Sequence, residues 1–92
     1  MNEDPTREVL RLRSQALSWR LVGSEMIALD LVDSRYLTAN ESGALLWEAL
    51  AGGTTRAELV AALVGAYDLP HERAEADVDG FLAEAAQRGL LA

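Results

Sequence analysis

Between residues 17 and 39 the apolar positions recur with a period of two. Leu17, Trp19 and Leu21 share one side of a stretch whose other side carries Ser18 and Arg20, the alternation of a half-buried strand. Gly23-Ser24 follows, and a glycine leading a two-residue loop fits a type II′ hairpin turn. Met26–Leu31 alternates again and puts Ile27, Leu29 and Leu31 on one face. Asp33-Ser34 makes a second turn, and Arg35–Ala39 a third strand. Three short strands joined by tight turns predict an antiparallel meander whose outer strands keep unpaired edges.

At Asn40 the period changes to that of a helix. Asn40 is a good N-cap, because its side-chain oxygen can accept an orphan backbone N–H of the first turn. Gly43, Leu46, Trp47 and Leu50 then fall at i, i+3, i+4 and i+7, which predicts a helix to about Ala51, stopped by Gly52-Gly53. Thr55-Arg56-Ala57-Glu58 matches a capping box and opens a second helix with Leu59, Val60, Leu63 and Tyr67 on its buried face. Asp68-Leu69-Pro70 breaks that helix, with Pro70 near the first-turn position of a third. Ala74, Val78, Phe81, Leu82 and Ala85 form the stripe of the third helix, and Gly89 ends it so that Leu90-Leu91 can fold back.

Strands first and helices afterwards imply an α+β domain, a three-stranded antiparallel sheet followed by three helices packed on one face. A three-helix cluster beside a hairpin is winged helix-turn-helix-like, here with the wing at the N-terminal end. Residues 15–92 read as this one domain and residues 1–14 as a flexible N-terminal tail. Within the tail, residues 1–8 are polar and read as frayed, whereas Val9–Arg13 is open between strand, helical turn and an arm that docks on a partner.

Composition narrows the function. The 92 residues are half apolar, enough for one small folded domain. With no cysteine, disulfides, thiolate metal sites and thiol nucleophiles drop out together. No apolar run spans a bilayer and no signal-peptide pattern is present, so the expected location is the cytoplasm, away from membranes. Eight arginines and no lysine face fifteen carboxylates, for a net charge of −7. Residues 1–35 hold five arginines against six acids, and residues 36–92 hold three against nine. The acidic part contains the helices, and such a surface repels phosphate backbones.

Catalytic chemistry is thinly supplied. His71 is the only histidine, and at a helix start it reads as a solvated or capping residue; with Glu75 at i+4 it offers two ligands, a weak metal site. Nucleotide-binding glycine loops and nucleophile-elbow motifs are absent from the sequence. The expectation is a binding module, with no enzymatic activity, no cofactor and no metal. Glu72, Glu75, Asp77, Asp79 and Glu84 read as the solvated face of the third helix, Asp77 standing beside the apolar stripe. Trp19 and Trp47 read as core aromatics. Pattern alone leaves open whether the third strand is a guarded edge or a binding edge.

The chain resembles the PqqD-like family. The resemblance is carried by Leu29-Asp30-Leu31, Arg35-Tyr36-Leu37, Asn40, Gly43-Ala44 and Trp47. Gly52-Gly53-Thr54, Glu58-Leu59, Leu63, Tyr67, Arg73, Asp77-Val78, Phe81-Leu82 and Gly89-Leu90-Leu91 continue it. It covers about residues 17–92, and the order and spacing of the motifs are more specific than any one of them. Members of the family are recognition elements for ribosomally synthesised, post-translationally modified peptides. The resemblance implies that the precursor's leader peptide adds as a strand on the third strand, in a groove against the third helix. It implies a peptide-binding set of Arg35, Tyr36, Leu37, Thr38, Asp77, Val78, Phe81 and Ala85. It further implies partners in a leader protease and an ATP-dependent cyclase of a lasso-peptide pathway. Arg73, Asp77 and the Gly89-Leu90-Leu91 ending favour that pathway over a chaperone for the radical enzyme of pyrroloquinoline quinone synthesis. Ala39 and Ala85 are smaller than the residues common at those places, and a small Ala85 implies a deep groove suited to a bulky leader residue. Two other classes stand beside this reading. A winged-helix DNA binder conflicts with the acidic third helix, and a phosphopantetheine carrier conflicts with the placing of Ser34 in a strand turn.

Overall fold

The computed structural model describes residues 8–13 and 15–92. Three strands, β1 (Leu17–Val22), β2 (Glu25–Asp30) and β3 (Arg35–Ala39), precede three helices, α1 (Glu41–Gly52), α2 (Arg56–Tyr67) and α3 (His71–Gln87). The sheet order is β1-β2-β3, antiparallel throughout. This is the α+β arrangement that the alternation followed by the helical period predicts.

The hairpin fixes which backbone groups face the edge. Val22 pairs with Glu25 across the two-residue loop, and Gly23 carries the positive φ of 64°. The turn's own bond therefore makes Val22 and Glu25 a hydrogen-bonded pair. Bonded and non-bonded pairs alternate along an antiparallel ladder. Glu25, Ile27 and Leu29 thus direct their N–H and C=O groups at β1, and Met26, Ala28 and Asp30 theirs at β3. The β3 partners of those three are Ala39, Leu37 and Arg35. Tyr36 and Thr38, lying between, turn their N–H and C=O groups away from the sheet.

Side chains follow the complementary alternation. Met26, Ala28 and Asp30 are buried, whereas Ile27 is exposed and Leu31 lies past the strand end in the turn. The sheet therefore turns Met26, Ala28 and Asp30 to the core and leaves the Ile27 and Leu29 face outward. Ala28 and Met26 lie with Ala44 and Trp47 in a cluster between sheet and helices, where a small residue lets α1 come close to β2. Asp30 tolerates its 2 % exposure because it is paired with Arg13 and accepts the N–H groups of Val32 and Asp33 at 3.0 and 3.4 Å.

The segment that the sequence leaves open, Val9–Arg13, is docked from Leu10 onwards. Leu10 and Thr54 exchange backbone bonds of 2.6 and 2.9 Å, and Leu12 N–H reaches Leu50 O at 3.3 Å. Arg13 N–H donates to Leu90 O at 2.8 Å, and Ala92 N–H donates to Arg11 O at 2.9 Å. These bonds tie residues 10–13 to the end of α1, the α1–α2 loop and residues 90–92. Residues 1–7 and 14, the rest of the expected tail, lie outside the described residues.

Caps set the helix boundaries. Asn40 Oδ1 accepts Gly43 N–H at 3.1 Å, and Thr55 Oγ1 accepts Glu58 N–H at 3.1 Å. The capping box stays half-closed, because the Glu58 carboxylate accepts the Thr54 hydroxyl at 3.1 Å instead. Pro70 occupies the N-cap of α3 with no side-chain bond, a position where its missing N–H costs nothing. The helical core gathers Leu46, Leu50, Leu59, Leu63, Ala74 and Val78.

Asp30 also predicts an acid limb. Burial pushes its carboxyl up, but the Arg13 hydrogen bond, the Val32 and Asp33 N–H groups and the Arg13 charge together outweigh burial and hold it below the usual value. A carboxyl depressed in the folded state stabilises the fold above the unfolded value of about 3.9 and loses that contribution as pH falls through the folded value. The urea midpoint should therefore fall below about pH 4, and Asp30→Asn should flatten that limb. An unchanged limb in Asp30→Asn would reject Asp30 as its source.

Candidate functional site

A groove of about 250 Å³ opens between β3 and α3. One wall is β3 itself, Tyr36 to Ala39, and the other is Phe81, Glu84, Ala85 and Arg88; Met26, Trp47 and Leu90 also line it. The groove exists because α3 packs chiefly on α2, while α1 packs on both β2 and β3, so that α3 meets the sheet only through side chains such as Phe81 and Ala85. Gly43 keeps the first turn of α1 close to the strand: a Cβ there would lie 3.0 Å from the Ala39 Cβ. A larger residue at 39 would press on the same turn, which gives Ala39 a structural reason.

The expected site residues divide. Tyr36, Leu37, Thr38, Phe81 and Ala85 line this groove together. Tyr36 is 77 % exposed on the outer face, Leu37 is half-buried on the core face, and Ala85 is buried at the groove wall. Arg35 stands at the strand's start, exposed, with its guanidinium 3.2 Å from Asp33. Asp77 is exposed and lines a neighbouring depression rather than this groove. Val78 is wholly buried in the helical core among Leu46, Leu50 and Leu59, so it backs α3 from beneath and is not part of the groove's lining.

Glu84 and Arg88 are groove residues that the apolar stripe hides. They join Phe81 and Ala85 at i, i+3, i+4 and i+7, so helical spacing from Phe81 would have found them had polarity been ignored. They pair with each other at 3.1 Å, which gives the wall an ion pair accessible to solvent. The Trp47 indole Nε1, buried, has no hydrogen-bond partner among the described residues. Trp47 packs edge-to-face on Trp19, with centroids 6.2 Å apart and planes at 73°, the geometry of a core aromatic pair.

The acidic face of α3 is partly committed elsewhere. Arg56 donates to Asp79 at 2.7 and 2.9 Å and to Glu75 at 3.4 Å, fastening α2 to α3. The Asp79 carboxyl is held below its usual value by the Arg56 hydrogen bond, against the opposing effect of burial. His71 Nε2 lies 3.4 Å from Glu75 Oε1. Among the described residues no group of three or more His, Cys, Asp or Glu side chains gathers as a metal site. No helix in the described residues is long and apolar enough to cross a membrane.

What the arrangement offers is a strand edge with two outward N–H and two outward C=O groups, at Tyr36 and Thr38, above a part-apolar trough. The family model described as coenzyme PQQ synthesis protein D (PqqD) matches residues 25–91. The chain belongs to the PqqD family. Its fold is shared with a solved structure described as "TbiB1 in Complex with the TbiA(beta) Leader Peptide", at 26 % identity and a TM-score of 0.81, over 88 % of this chain and 93 % of that one. A second, "Lasso peptide synthetase B1 complexed with the leader peptide", shares the fold at 24 % identity and a TM-score of 0.78, over 90 % of this chain and 96 % of that one. Among curated proteins none matches the chain. In this PqqD-family member the matched residues include β2, β3 and all three helices, and so both walls of the groove.

Proposed function

We propose that this protein binds the leader segment of a ribosomal precursor peptide as an added antiparallel strand on β3, lying in the groove against α3. It carries out no chemistry of its own and presents the precursor to a leader protease and an ATP-dependent cyclase of a lasso-type pathway. The observation that carries this is the free edge at Tyr36 and Thr38 facing a trough. Backbone groups of an edge strand supply pairing without reading sequence, and the pockets beside it read alternate side chains. Leu37 and Ala39 from the sheet, with Phe81 and Ala85 from α3, form those pockets. The similar structures, by their descriptions, hold leader peptides, which supports the same class of ligand here.

A second reading keeps the same edge and changes the enzyme served: the family description names coenzyme PQQ synthesis, where the partner is a radical enzyme. The lasso reading is preferred because one of the similar structures is described as a lasso peptide synthetase B1 complexed with the leader peptide.

Titration separates peptide from nucleic acid. Extended synthetic leader peptides, drawn from short reading frames next to the gene, should bind with a Kd in the micromolar range or tighter. Random duplex DNA at low salt should not bind, because the chain carries a net charge of −7 and nucleic-acid affinity needs clustered cations. Tight, salt-sensitive binding of duplex together with no peptide affinity would replace this reading by the DNA-binding one.

A further inference from the structure

The trough does not end at Ala39. Beyond it, past Asn40, lies a second and larger depression of about 570 Å³, which shares Phe81 and Glu84 with the first. Leu46, Leu63, Tyr67, Leu69 and Phe81 give it apolar lining. Its charged lining is Glu41, Asp77 and Glu84 against Arg73. Glu84 is already paired with Arg88, whereas neither Glu41 nor Asp77 has a cation within salt-bridge distance among the described residues.

Strand direction decides which part of a ligand reaches this place. A strand added antiparallel to β3 runs from the Ala39 end toward the Arg35 end. Its N-terminal continuation therefore leaves the sheet at Asn40 and enters the second depression. The α1 N-terminus also faces it, and a helix N-terminus carries roughly half a positive charge. That field is already answered, since Asn40 caps Gly43 N–H and Glu41 sits in the first turn. The negative balance is also felt by Tyr67, whose hydroxyl is pushed up first by burial and then by the Glu41 carboxylate.

We propose that this depression is a second subsite for the same leader, taking a long basic side chain, lysine or arginine, from the residues N-terminal to the paired strand. Such a side chain lays its methylenes on Tyr67, Leu69 and Phe81, the half-buried apolar residues of the lining, and brings its cation to Glu41 and Asp77. The inference rests on the leader-binding reading above, and it gives that reading a fixed polarity and a charge preference.

Selection from a random peptide display library on the full chain tests it. Enriched peptides should carry lysine or arginine on the N-terminal side of an alternating apolar segment. In a synthetic peptide from that pool, replacing the basic residue by norleucine should weaken binding by roughly fivefold, the scale of one or two partly exposed ion pairs. Against Asp77→Asn combined with Glu41→Gln the lysine and norleucine peptides should bind alike, both side chains being exposed and spared by the core. Enriched peptides lacking a basic residue there, no loss on norleucine replacement, or a lysine preference that persists in the double variant would overturn the subsite and leave strand addition standing. No enrichment at all, or enriched peptides that bind Thr38→Pro as well as the original chain, would overturn the leader-binding reading and the subsite with it.

Discussion

Thr38→Pro should weaken peptide binding by roughly ten- to a hundredfold with little change in thermal midpoint. The register turns Thr38 N–H to the free edge, so the native sheet loses no bond when proline removes it. The incoming peptide loses one hydrogen bond and keeps a carbonyl with no partner, together about 1–3 kcal/mol. Leu37→Pro makes the contrast one residue away. Leu37 pairs with Ala28 in a bonded position, so proline there breaks the native ladder and should cost about 1–3 kcal/mol of folding stability. Calorimetry and thermal unfolding on both variants read the two effects apart. Equal affinity for Thr38→Pro and the original chain would mean that the ligand does not use this edge.

Phe81→Ala and Val78→Ala should part in the same way on α3. Val78 is wholly buried and lies in the helical core, so truncation should lower stability by about 1.5–3 kcal/mol. Its affinity should stay within about twofold at a temperature where the variant is folded, since lost core methyls do not touch the ligand. Phe81 is half-buried and lines both depressions. Its truncation should cost a similar amount of stability, and also reduce affinity by about tenfold, on the scale of one anchoring side chain at an interface. Peptide affinity lost in Val78→Ala and kept in Phe81→Ala would place the ligand elsewhere.

Much of the scaffold was legible in the sequence because local rules agreed with the global fold. The Gly23 turn, the Asn40 and Thr55 caps and the Gly89 stop each have a backbone reason that needs no tertiary information. The face of β2 was not legible, since both of its faces carry apolar residues and Asp30 argues for the wrong one. Beside the local Val32 and Asp33 N–H groups, the charge partner of the buried aspartate is Arg13, seventeen positions earlier, and nothing in a local window announces that pair. The docking of Leu10–Arg13 was hidden for the same reason: its partners are Thr54, Leu50 and Leu90.

On the site, the strand half was read more easily than the helix half. A short edge strand exposes its backbone whatever its side chains are, so Tyr36–Thr38 follows from topology. On α3 an apolar stripe mixes residues that face the core with residues that face the groove. Val78 and Phe81 belong to one stripe by spacing, yet only Phe81 lines the trough. Glu84 and Arg88 join Phe81 there although their charges place them with solvent.

Amide hydrogen exchange in the presence and absence of the tightest leader peptide addresses the edge directly. Tyr36 and Thr38 N–H groups, unpaired in the free protein, should slow by about tenfold or more on binding. Leu37 N–H, bonded to Ala28 in both states, should change far less. Saturating peptide that leaves Tyr36 and Thr38 exchanging at their free rates would contradict strand addition on β3.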